Sequence, residues 1–340
     1  MIRNRNVAAD ANISPAKIAG MANRVYYVKK ATDADYSDFL TNRQGTYSNG
    51  KSIVYNTIQA AVTAAGRKDV ILVYPADMAA GATDPDSYSE TIIIPAAQDG
   101  LSIIGVGNRT QGGLPQVKIG AGSTAMFTIR SPGITLANLG INGVDSTGGG
   151  ILLDDNASTK TAFGVSLINC HFKNCKAHAT NGAVGGAVYT SAAGGAWQLL
   201  VKGCRFYKCV GGIVSVGTSS SVPQDWVIED CVFGTSVNTE TDVDIYCAAD
   251  GVIGLTIRNC DFSTVDVPTG TSGTIQRYIS LGAGTKGQIS NCRFACISHG
   301  TGAKTFGATG TGCVIPTTVR MSGCFGEPAT DATLDSIKRT

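Results

Sequence analysis

The stretch Leu199-Leu200-Val201-Lys202-Gly203-Cys204-Arg205-Phe206 is one copy of a pattern that recurs along the chain. A cysteine followed two residues later by a phenylalanine occurs at Cys170/Phe172, Cys204/Phe206, Cys231/Phe233, Cys260/Phe262 and Cys292/Phe294. Leu139 begins an aliphatic version one unit earlier, and Cys324 begins a last unit without the phenylalanine. Counted from Leu139, the anchors are 31, 34, 27, 29, 32 and 32 residues apart. Such a spacing indicates a solenoid, a propeller or an array of repeats.

The residues before each anchor predict the backbone path of one repeat. Apolar residues alternate at the positions five and three residues before the anchor, with a lapse at Gly287, as in a strand with one buried face. The anchor comes three residues after the second of these apolar positions. Because side chains alternate along a strand, an uninterrupted strand would point the anchor outward. A residue with positive φ restores the inward direction, and Gly, Asn and Asp adopt that conformation most readily. All seven units have one of them just before the anchor: Asn138, Asn169, Gly203, Asp230, Asn259, Asn291 and Gly323.

A second family of strands follows in most units, at 150–153, 186–189, 212–216, 243–246 and 278–281. No segment between them has helical periodicity, which argues against leucine-rich, ankyrin and tetratricopeptide repeats. Propeller blades need about 40–45 residues and four strands each, so they fit poorly as well. The sequence therefore predicts an all-β chain that winds as a single-stranded parallel β-helix.

The start of the solenoid is predicted to be covered by a short helix at 55–65, because an open sheet edge needs protection. Asn56 or Thr57 is the expected N-cap, and Gly66 the expected end. The stretch Asn56-Thr57-Ile58-Gln59-Ala60-Ala61-Val62, followed by 69–75, 88–95 and 102–107, resembles the opening of the pectate-lyase-like right-handed β-helices. With the repeats, the resemblance covers roughly residues 45–325. It implies a right-handed β-helix and leaves the chemistry open, since this fold hosts lyases, hydrolases, adhesins and inert virion spikes.

Residues 1–24 are expected to form an extended arm outside the core. The stretch Ala9-Asp10-Ala11-Asn12-Ile13-Ser14-Pro15-Ala16-Lys17-Ile18 is similar to N-terminal tethers of bacteriophage tail-fibre and head-fibre proteins. The resemblance implies that Ile13, Ser14, Pro15 and Ile18 anchor the chain to a virion, with a disordered terminus as the alternative. We expect the cap and first turns at 25–108, the β-helix body at 109–326, and a C-terminal tail at 327–340.

The composition argues against several classes of partner. Charged residues make up 15% of the 340 residues, and the formal net charge is +2. We therefore expect neither nucleic acid nor an anionic membrane as a partner. The chain lacks an apolar run of about 18 residues, so we expect no transmembrane helix. Its start also lacks the apolar stretch of a secretory signal, so we expect assembly in the host cytoplasm.

The 11 cysteines are interpreted as core residues. Pairs such as Cys170-x4-Cys175 are a weak match to zinc ligands, which need four convergent donors. The anchors recur in step with the inward Leu139, which instead predicts a stack of thiols and phenylalanine rings inside the solenoid. Disulfides between turns are an alternative by distance, but parallel side-chain directions suit them poorly. We expect no metal and no other cofactor.

The acidic residues suggest no catalytic set. Glycosidases need two carboxyl groups facing each other across the bond. Glu229 instead has Lys202 one turn before it and Arg258 one turn after it, which favours ion pairs on a solvated sheet face. A lyase of the resembled fold would use Asp-bound Ca²⁺ and an Arg or Lys base, for which the candidates are Asp242, Asp244, Arg258, Asp261 and Arg293. Their spacing does not distinguish them from surface residues, so no catalytic residue is assigned.

The sequence thus predicts a structural bacteriophage virion protein, either a tail spike or fibre or a head fibre. The arm would attach it to a capsid or tail protein, and the β-helical shaft, expected as a homotrimer, would contact a host surface or glycan. The alternative is a polysaccharide lyase or glycoside hydrolase of the same fold, and an adhesin of cellular origin is a third. The long excursions between turns are poor in the aromatic side chains that usually grip sugars, apart from Trp197 and Phe306. We therefore expect these excursions to pack against a neighbour or to face solvent, and not to form a deep site.

Overall fold

The structure of the protein is a computed structural model. It describes residues 24–43, 50–78, 86–107, 113–120, 125–143, 149–155, 159–175, 186–191, 195–216, 221–235, 243–266, 273–275, 277–298, 304–306, 312–326 and 338–339. Within these ranges the chain is built almost wholly of short strands, with two short helices near its start. No described helix is both long and apolar enough to cross a membrane.

The helices are α1 (Tyr36–Asn42) and α2 (Ile58–Ala64). The strands of the first half are β1 (Val25–Val28), β2 (Val54–Tyr55), β3 (Val70–Val73), β4 (Ser87–Glu90), β5 (Ile92–Ile94), β6 (Ser102–Gly105), β7 (Gln116–Ile119), β8 (Ala125–Ile129), β9 (Thr135–Ala137), β10 (Gly140–Asn142), β11 (Gly149–Leu153), β12 (Ser166–Ile168), β13 (His171–Lys173) and β14 (Val188–Thr190). Those of the second half are β15 (Leu200–Lys202), β16 (Arg205–Tyr207), β17 (Gly211–Ser215), β18 (Val227–Glu229), β19 (Val232–Thr235), β20 (Val243–Cys247), β21 (Ile253–Arg258), β22 (Asp261–Asp266), β23 (Gly273–Ile275), β24 (Arg277–Leu281), β25 (Lys286–Ser290), β26 (Arg293–Ser298), β27 (Lys304–Phe306), β28 (Cys313–Ile315), β29 (Val319–Ser322), β30 (Phe325–Gly326) and β31 (Lys338–Arg339).

Three long parallel sheets form the walls of a solenoid. Sheet 1 runs β2-β1-β3-β6-β9-β12-β15-β18-β21-β25-β29. Sheet 2 runs β30-β26-β22-β19-β16-β13-β10-β7-β4, and sheet 3 runs β31-β28-β24-β20-β17-β14-β11-β8-β5. Each turn of the body gives one strand to each sheet, and β23 pairs with β27 in a separate ribbon. The predicted right-handed parallel β-helix is therefore confirmed.

The one-residue bend between sheets 1 and 2 adopts the backbone that the sequence predicts. All seven residues before the anchors have a positive φ, between 53° and 64°: Asn138, Asn169, Gly203, Asp230, Asn259, Asn291 and Gly323. The bend lets an inward residue of sheet 1, such as Val201, be followed by the inward anchor Cys204. The strand–bend–strand prediction is confirmed for every unit.

The core is a set of identical side chains stacked from turn to turn. Phe172, Phe206, Phe233, Phe262 and Phe294 lie at equivalent register positions of sheet 2. Their ring centroids are 4.6–5.0 Å apart and their planes lie within 10° of parallel. Parallel β-strands repeat at about 4.8 Å, so one ring per turn fills the interior without a gap.

The N-terminal end differs in detail from the sequence prediction. The helix predicted at 55–65 begins only at Ile58, because Tyr55 pairs with Val28 in sheet 1. Thr57 is its N-cap and accepts a hydrogen bond from the backbone N–H of Ala60. Helix α1 was not predicted, since Phe39 is its sole buried residue and it lacks an apolar stripe.

Candidate functional site

A concavity of the described surface lies at the corner where sheet 3 leads into sheet 1. It encloses about 430 Å³. Its lining residues are Asp155, Thr161, Phe163, Trp197, Gln198 and Ser221, which we call the corner groove. Two large aromatic side chains with polar groups around them are typical of a site for a small organic ligand.

Phe163 and Trp197 sit one above the other on neighbouring turns. The backbone N–H of Gly164 donates a hydrogen bond of 2.8 Å to the carbonyl oxygen of Trp197, which fixes the alignment. Phe163 is 40% exposed and Trp197 is 49% exposed, although the surrounding body is closely packed. Two large aromatic side chains exposed in one groove form an apolar patch, the kind of surface on which ligands bind.

Trp197 lies in a bend of the backbone at this corner. Ala196 and Gln198, on either side of Trp197, both have a positive φ, at 42° and 58°. Positive φ recurs at this corner on neighbouring turns, at Gly133, Gly164, Asp225 and Gly254, so the bend at Gln198 belongs to the solenoid itself. The indole N–H donates to the carbonyl oxygen of Val222 at 3.1 Å, so the ring is held in place while its face stays open. The site is therefore preorganised.

Asp155 supplies the carboxylate of the groove. It is 7% exposed, and one of its carboxylate oxygens accepts a 3.0 Å hydrogen bond from the backbone N–H of Ala196. Its backbone oxygen accepts a hydrogen bond from the hydroxyl of Ser191. Asp155 thus links the segment that follows β11 to the loop that carries Trp197. Gln198 lines the same groove.

The carboxylate of Asp154, the residue before Asp155, forms two ion pairs. Asp154 lies 2.8 Å from Nε of Arg130 and 3.0 Å from Nζ of Lys160. A retaining or inverting hydrolase needs two carboxyl groups on opposite sides of the scissile bond. Among the described residues, only Asp155 brings a carboxylate to the corner groove. The described residues of the groove thus offer aromatic and polar contacts to a ligand, without a second carboxyl group.

The candidate lyase residues do not converge. Arg258 belongs to sheet 1, Asp261 and Arg293 to sheet 2, and Asp244 to sheet 3. Asp261 and Arg293 face each other across neighbouring turns and form two hydrogen bonds of 3.1 and 3.0 Å. Asp244 is 3% exposed, and Asp242 lies outside the described residues. We find no shared site for these residues in the described part of the chain.

Glu229 forms the predicted cross-strand ion pairs, but it is not solvated. Its carboxylate accepts hydrogen bonds from Nζ of Lys202 at 2.7 Å and from Nε of Arg258 at 2.6 Å. The two cations come from the turns on either side and cover it, leaving its side chain 8% exposed. The hydrogen bond from Lys202, followed by that from Arg258, lowers the pKa of Glu229 below its ordinary value of 4.5. The expectation of a solvated face is wrong at this position.

The cysteine anchors line the core beside the rings. Cys170, Cys204, Cys231, Cys260 and Cys292 are all at most 2% exposed and unoxidised. Thiols donate to carbonyl oxygens one turn back, as from Cys204 to Leu167 at 3.5 Å. In the described residues, no three cysteines bring their sulfur atoms together as metal ligands would.

One acidic cluster that the sequence did not suggest joins Asp33, Asp35 and Asp77 near the N-terminal end. The ammonium group of Lys29 lies 3.1 Å from Asp33 and 3.0 Å from Asp35. It also donates to the carbonyl oxygen of Pro75 at 3.3 Å. A lysine therefore already neutralises the position that a cation would take, and we assign no metal site to the cluster.

The predicted anchor residues Ile13, Ser14, Pro15 and Ile18 lie outside the described residues. Sequence reasoning noted Trp197 but missed Phe163. The signal for Phe163 was the sequence Ala162-Phe163-Gly164, which resembles a bend with one outward residue. Its pairing with Trp197 depends on the alignment of neighbouring turns and could not be read from either residue alone.

Comparisons with known proteins give similarity of fold only. No family model and no curated protein sequence matches the chain. Among solved structures, a pectin methylesterase from Aspergillus niger is 13% identical over 88% of this chain and 91% of its own, with a TM-score of 0.34. The Escherichia coli protein ybhc is 16% identical over 96% and 80%, with a TM-score of 0.38. A mutant pectin methylesterase in complex with a hexasaccharide is 12% identical over 95% and 94%, with a TM-score of 0.39.

Proposed function

We propose that this protein is a structural β-helix that binds a carbohydrate of a cell surface through the corner groove without cleaving it. The observation that carries the proposal is the exposed pair Phe163 and Trp197 on neighbouring turns, beside the carboxylate of Asp155. The C–H face of a sugar ring packs on an aromatic ring, while its hydroxyl groups hydrogen-bond to carboxylate and amide groups. The groove offers both kinds of contact.

The alternative is a polysaccharide-cleaving enzyme of the same fold. This alternative is less well supported, because the candidate acids and bases form ion pairs with other residues. Asp154 pairs with Arg130 and Lys160, and Asp261 pairs with Arg293. A general acid or base has to reach the scissile bond in a suitable protonation state, and these ion-paired side chains are poorly placed for that. Binding is the simpler activity for the described surface.

The direct experiment is to screen the whole protein against a panel of cell-envelope polysaccharides, with the variants Trp197→Ala and Phe325→Ala. Phe325 is 58% exposed, at the far end of the solenoid, and serves as the control. We expect binding to at least one glycan to weaken about tenfold or more in Trp197→Ala, because aromatic contacts dominate such sites. Equal binding by both variants would exclude the groove, and release of oligosaccharides would replace binding by catalysis.

The proposal extends to a virion role, for which the sequence of residues 1–24 is the support. The arm would attach a homotrimer to a capsid or tail protein and leave the β-helix projecting outward. Deletion of residues 1–24 should leave a soluble β-helix that no longer joins phage particles. Light scattering of the intact protein should give three times the mass of the 35.0 kDa chain. Unchanged incorporation of the deletion variant would contradict the anchoring role of the arm. A monomeric mass would contradict the homotrimer.

A further inference from the structure

The corner that holds the corner groove continues along the solenoid, and the strand register aligns one residue of each turn at the same point of it. On each turn the backbone N–H of the following residue donates to the carbonyl oxygen of the aligned residue on the next turn: Gly164 to Trp197 at 2.8 Å, Gln198 to Gln224 at 2.7 Å and Asp225 to Ile253 at 2.8 Å. We call four aligned residues the corner track: Phe163, Trp197, Gln224 and Ile253.

The corner track forms a row of exposed apolar side chains. Every track residue is followed by one with a positive φ, between 56° and 78°: Gly164, Gln198, Asp225 and Gly254. Phe163, Trp197 and Ile253 are 40%, 49% and 42% exposed. The half-buried Gln224 stands between the last two of these. An exposed apolar row with a polar group within it is the kind of surface on which ligands bind. The row also extends two turns beyond the pair Phe163 and Trp197.

The spacing of the track matches the repeat of a linear glycan. Neighbouring turns are about 4.8 Å apart, so the track runs for about 14 Å along the solenoid axis from Phe163 to Ile253. A pyranose unit in a linear chain has a length similar to the height of one turn, so consecutive sugars can each meet one track residue. A single terminal sugar would occupy the groove at Trp197 and leave Ile253 without a contact. The geometry therefore fits a chain that lies parallel to the axis.

The polar groups of the track favour a neutral ligand. The amide of Gln224 both donates and accepts hydrogen bonds, as sugar hydroxyl groups do. Asp225 beside it is exposed, and a Cβ on Gly254 would lie 2.6 Å from its Oδ1, so glycine leaves this side of the carboxylate open. An acidic sugar would bring a second carboxylate to Asp225, and like charges repel. The cation at the same register position, Lys286, comes one turn after Ile253, beyond the track.

We propose that the corner track binds a neutral, linear polysaccharide along the solenoid axis, with about one sugar unit on each of its four turns. The inference rests on the carbohydrate binding proposed above and names the ligand of that site, a chain segment and not a single terminal sugar. Phe163 and Trp197 supply the aromatic contacts, and Gln224 and Ile253 determine the preference for chain length. The rigid β-helix holds all four positions before the ligand arrives, which lowers the cost of binding.

The test measures how affinity depends on chain length. The neutral polysaccharides of the panel are cut into oligosaccharides of two to six sugars, and calorimetry measures their binding to the whole protein. Oligogalacturonates of the same lengths serve as acidic comparison ligands. We expect the affinity for the neutral series to rise about tenfold or more from the disaccharide to the tetrasaccharide, because the longer chain also reaches Gln224 and Ile253. Longer chains should add little, and the oligogalacturonates should bind more weakly at every length.

Variants assign the dependence on length to the track. Ile253→Ser should weaken binding of the tetrasaccharide about fivefold or more and leave the disaccharide unchanged, whereas Trp197→Ala should weaken both. Val232→Ser is the matched control, because Val232 is 40% exposed but lies on sheet 2, outside the track. Asp225→Asn keeps a residue that tolerates positive φ, and it should bring the affinity for oligogalacturonate closer to that for the neutral chain. Circular dichroism checks that each variant remains folded.

The outcomes separate the track from the groove on which it rests. Equal affinity for the disaccharide and the tetrasaccharide, or equal effects of Ile253→Ser and Val232→Ser, would overturn the track and leave the corner groove standing. Oligogalacturonates that bind as tightly as the neutral series, or an Asp225→Asn variant that binds them no better than the wild type, would overturn the choice of a neutral chain. Binding that is insensitive to Trp197→Ala at every length, or no binding of any neutral oligosaccharide, would refute the groove and the track together.

Discussion

Replacing Phe233 by alanine removes the middle ring of the core stack. The side chain is fully buried, and its ring lies 4.6 Å from that of Phe206 and 4.8 Å from that of Phe262. A buried Phe→Ala change costs about 3–5 kcal/mol. Each parallel neighbour adds about 0.5–1.5 kcal/mol beyond area burial, so we expect a loss near the upper end, about 4–5 kcal/mol.

The measurement is urea denaturation of the whole protein, with the free energy of unfolding taken from the midpoint and slope. Phe325→Ala is the matched control, because Phe325 belongs to the same sheet but is 58% exposed. It should change the stability by no more than about 0.5 kcal/mol. A loss below about 1 kcal/mol in Phe233→Ala, or an equal loss in both variants, would refute the role of the stack.

Three further predictions concern the bend, the buried ion pair and the cap. Asn291→Ala should cost about 1–2 kcal/mol because the residue has φ 53°, whereas Asn291→Gly should cost far less; equal losses would argue against backbone strain. Glu229→Gln should cost about 1–2 kcal/mol at neutral pH, between an exposed and a buried ion pair. Because the pKa of Glu229 is lowered in the folded protein, its contribution is present above 4.5 and is lost as the pH falls below that value. The stability gap between wild type and Glu229→Gln should therefore close in acid, and a constant gap would contradict the ion pair. Glu90→Ala removes a carboxylate that accepts hydrogen bonds from the backbone N–H groups of Ile58 and Gln59, each at 2.9 Å. Thermal unfolding of this variant should show a loss of stability of about 1 kcal/mol. An unchanged melting temperature would contradict a capping role of Glu90 for helix α2.

The sequence was enough to predict the winding of the chain. The apolar residues that face the core recur once per turn. The bend before Cys204 or Cys260 needs a residue type that tolerates positive φ. Both requirements act locally, within about eight residues, so they leave a mark in the sequence. The second strand family could be located for the same reason, since its inward residues alternate with outward ones.

The corner groove could not be predicted to the same degree. Phe163 and Trp197 are 34 residues apart, and they line one groove because the intervening excursion brings the next turn back into register. The burial of Glu229 is of the same kind, because it depends on how Lys202 and Arg258 fold over it from two other turns. Such surface features arise from stacking between turns, and excursion lengths that vary from turn to turn obscure them in the sequence.

Fluorescence titration with glycan fragments can show whether the corner groove binds a carbohydrate. The chain has two tryptophans, of which Trp226 is fully buried and Trp197 is 49% exposed, so a ligand in the corner groove should change the emission of Trp197 alone. We predict a saturable change in the wild type, none in Trp197→Ala, and intact glycan recovered after incubation. A saturable change that persists in Trp197→Ala, or glycan recovered as shorter products, would contradict a non-cleaving carbohydrate site at this corner.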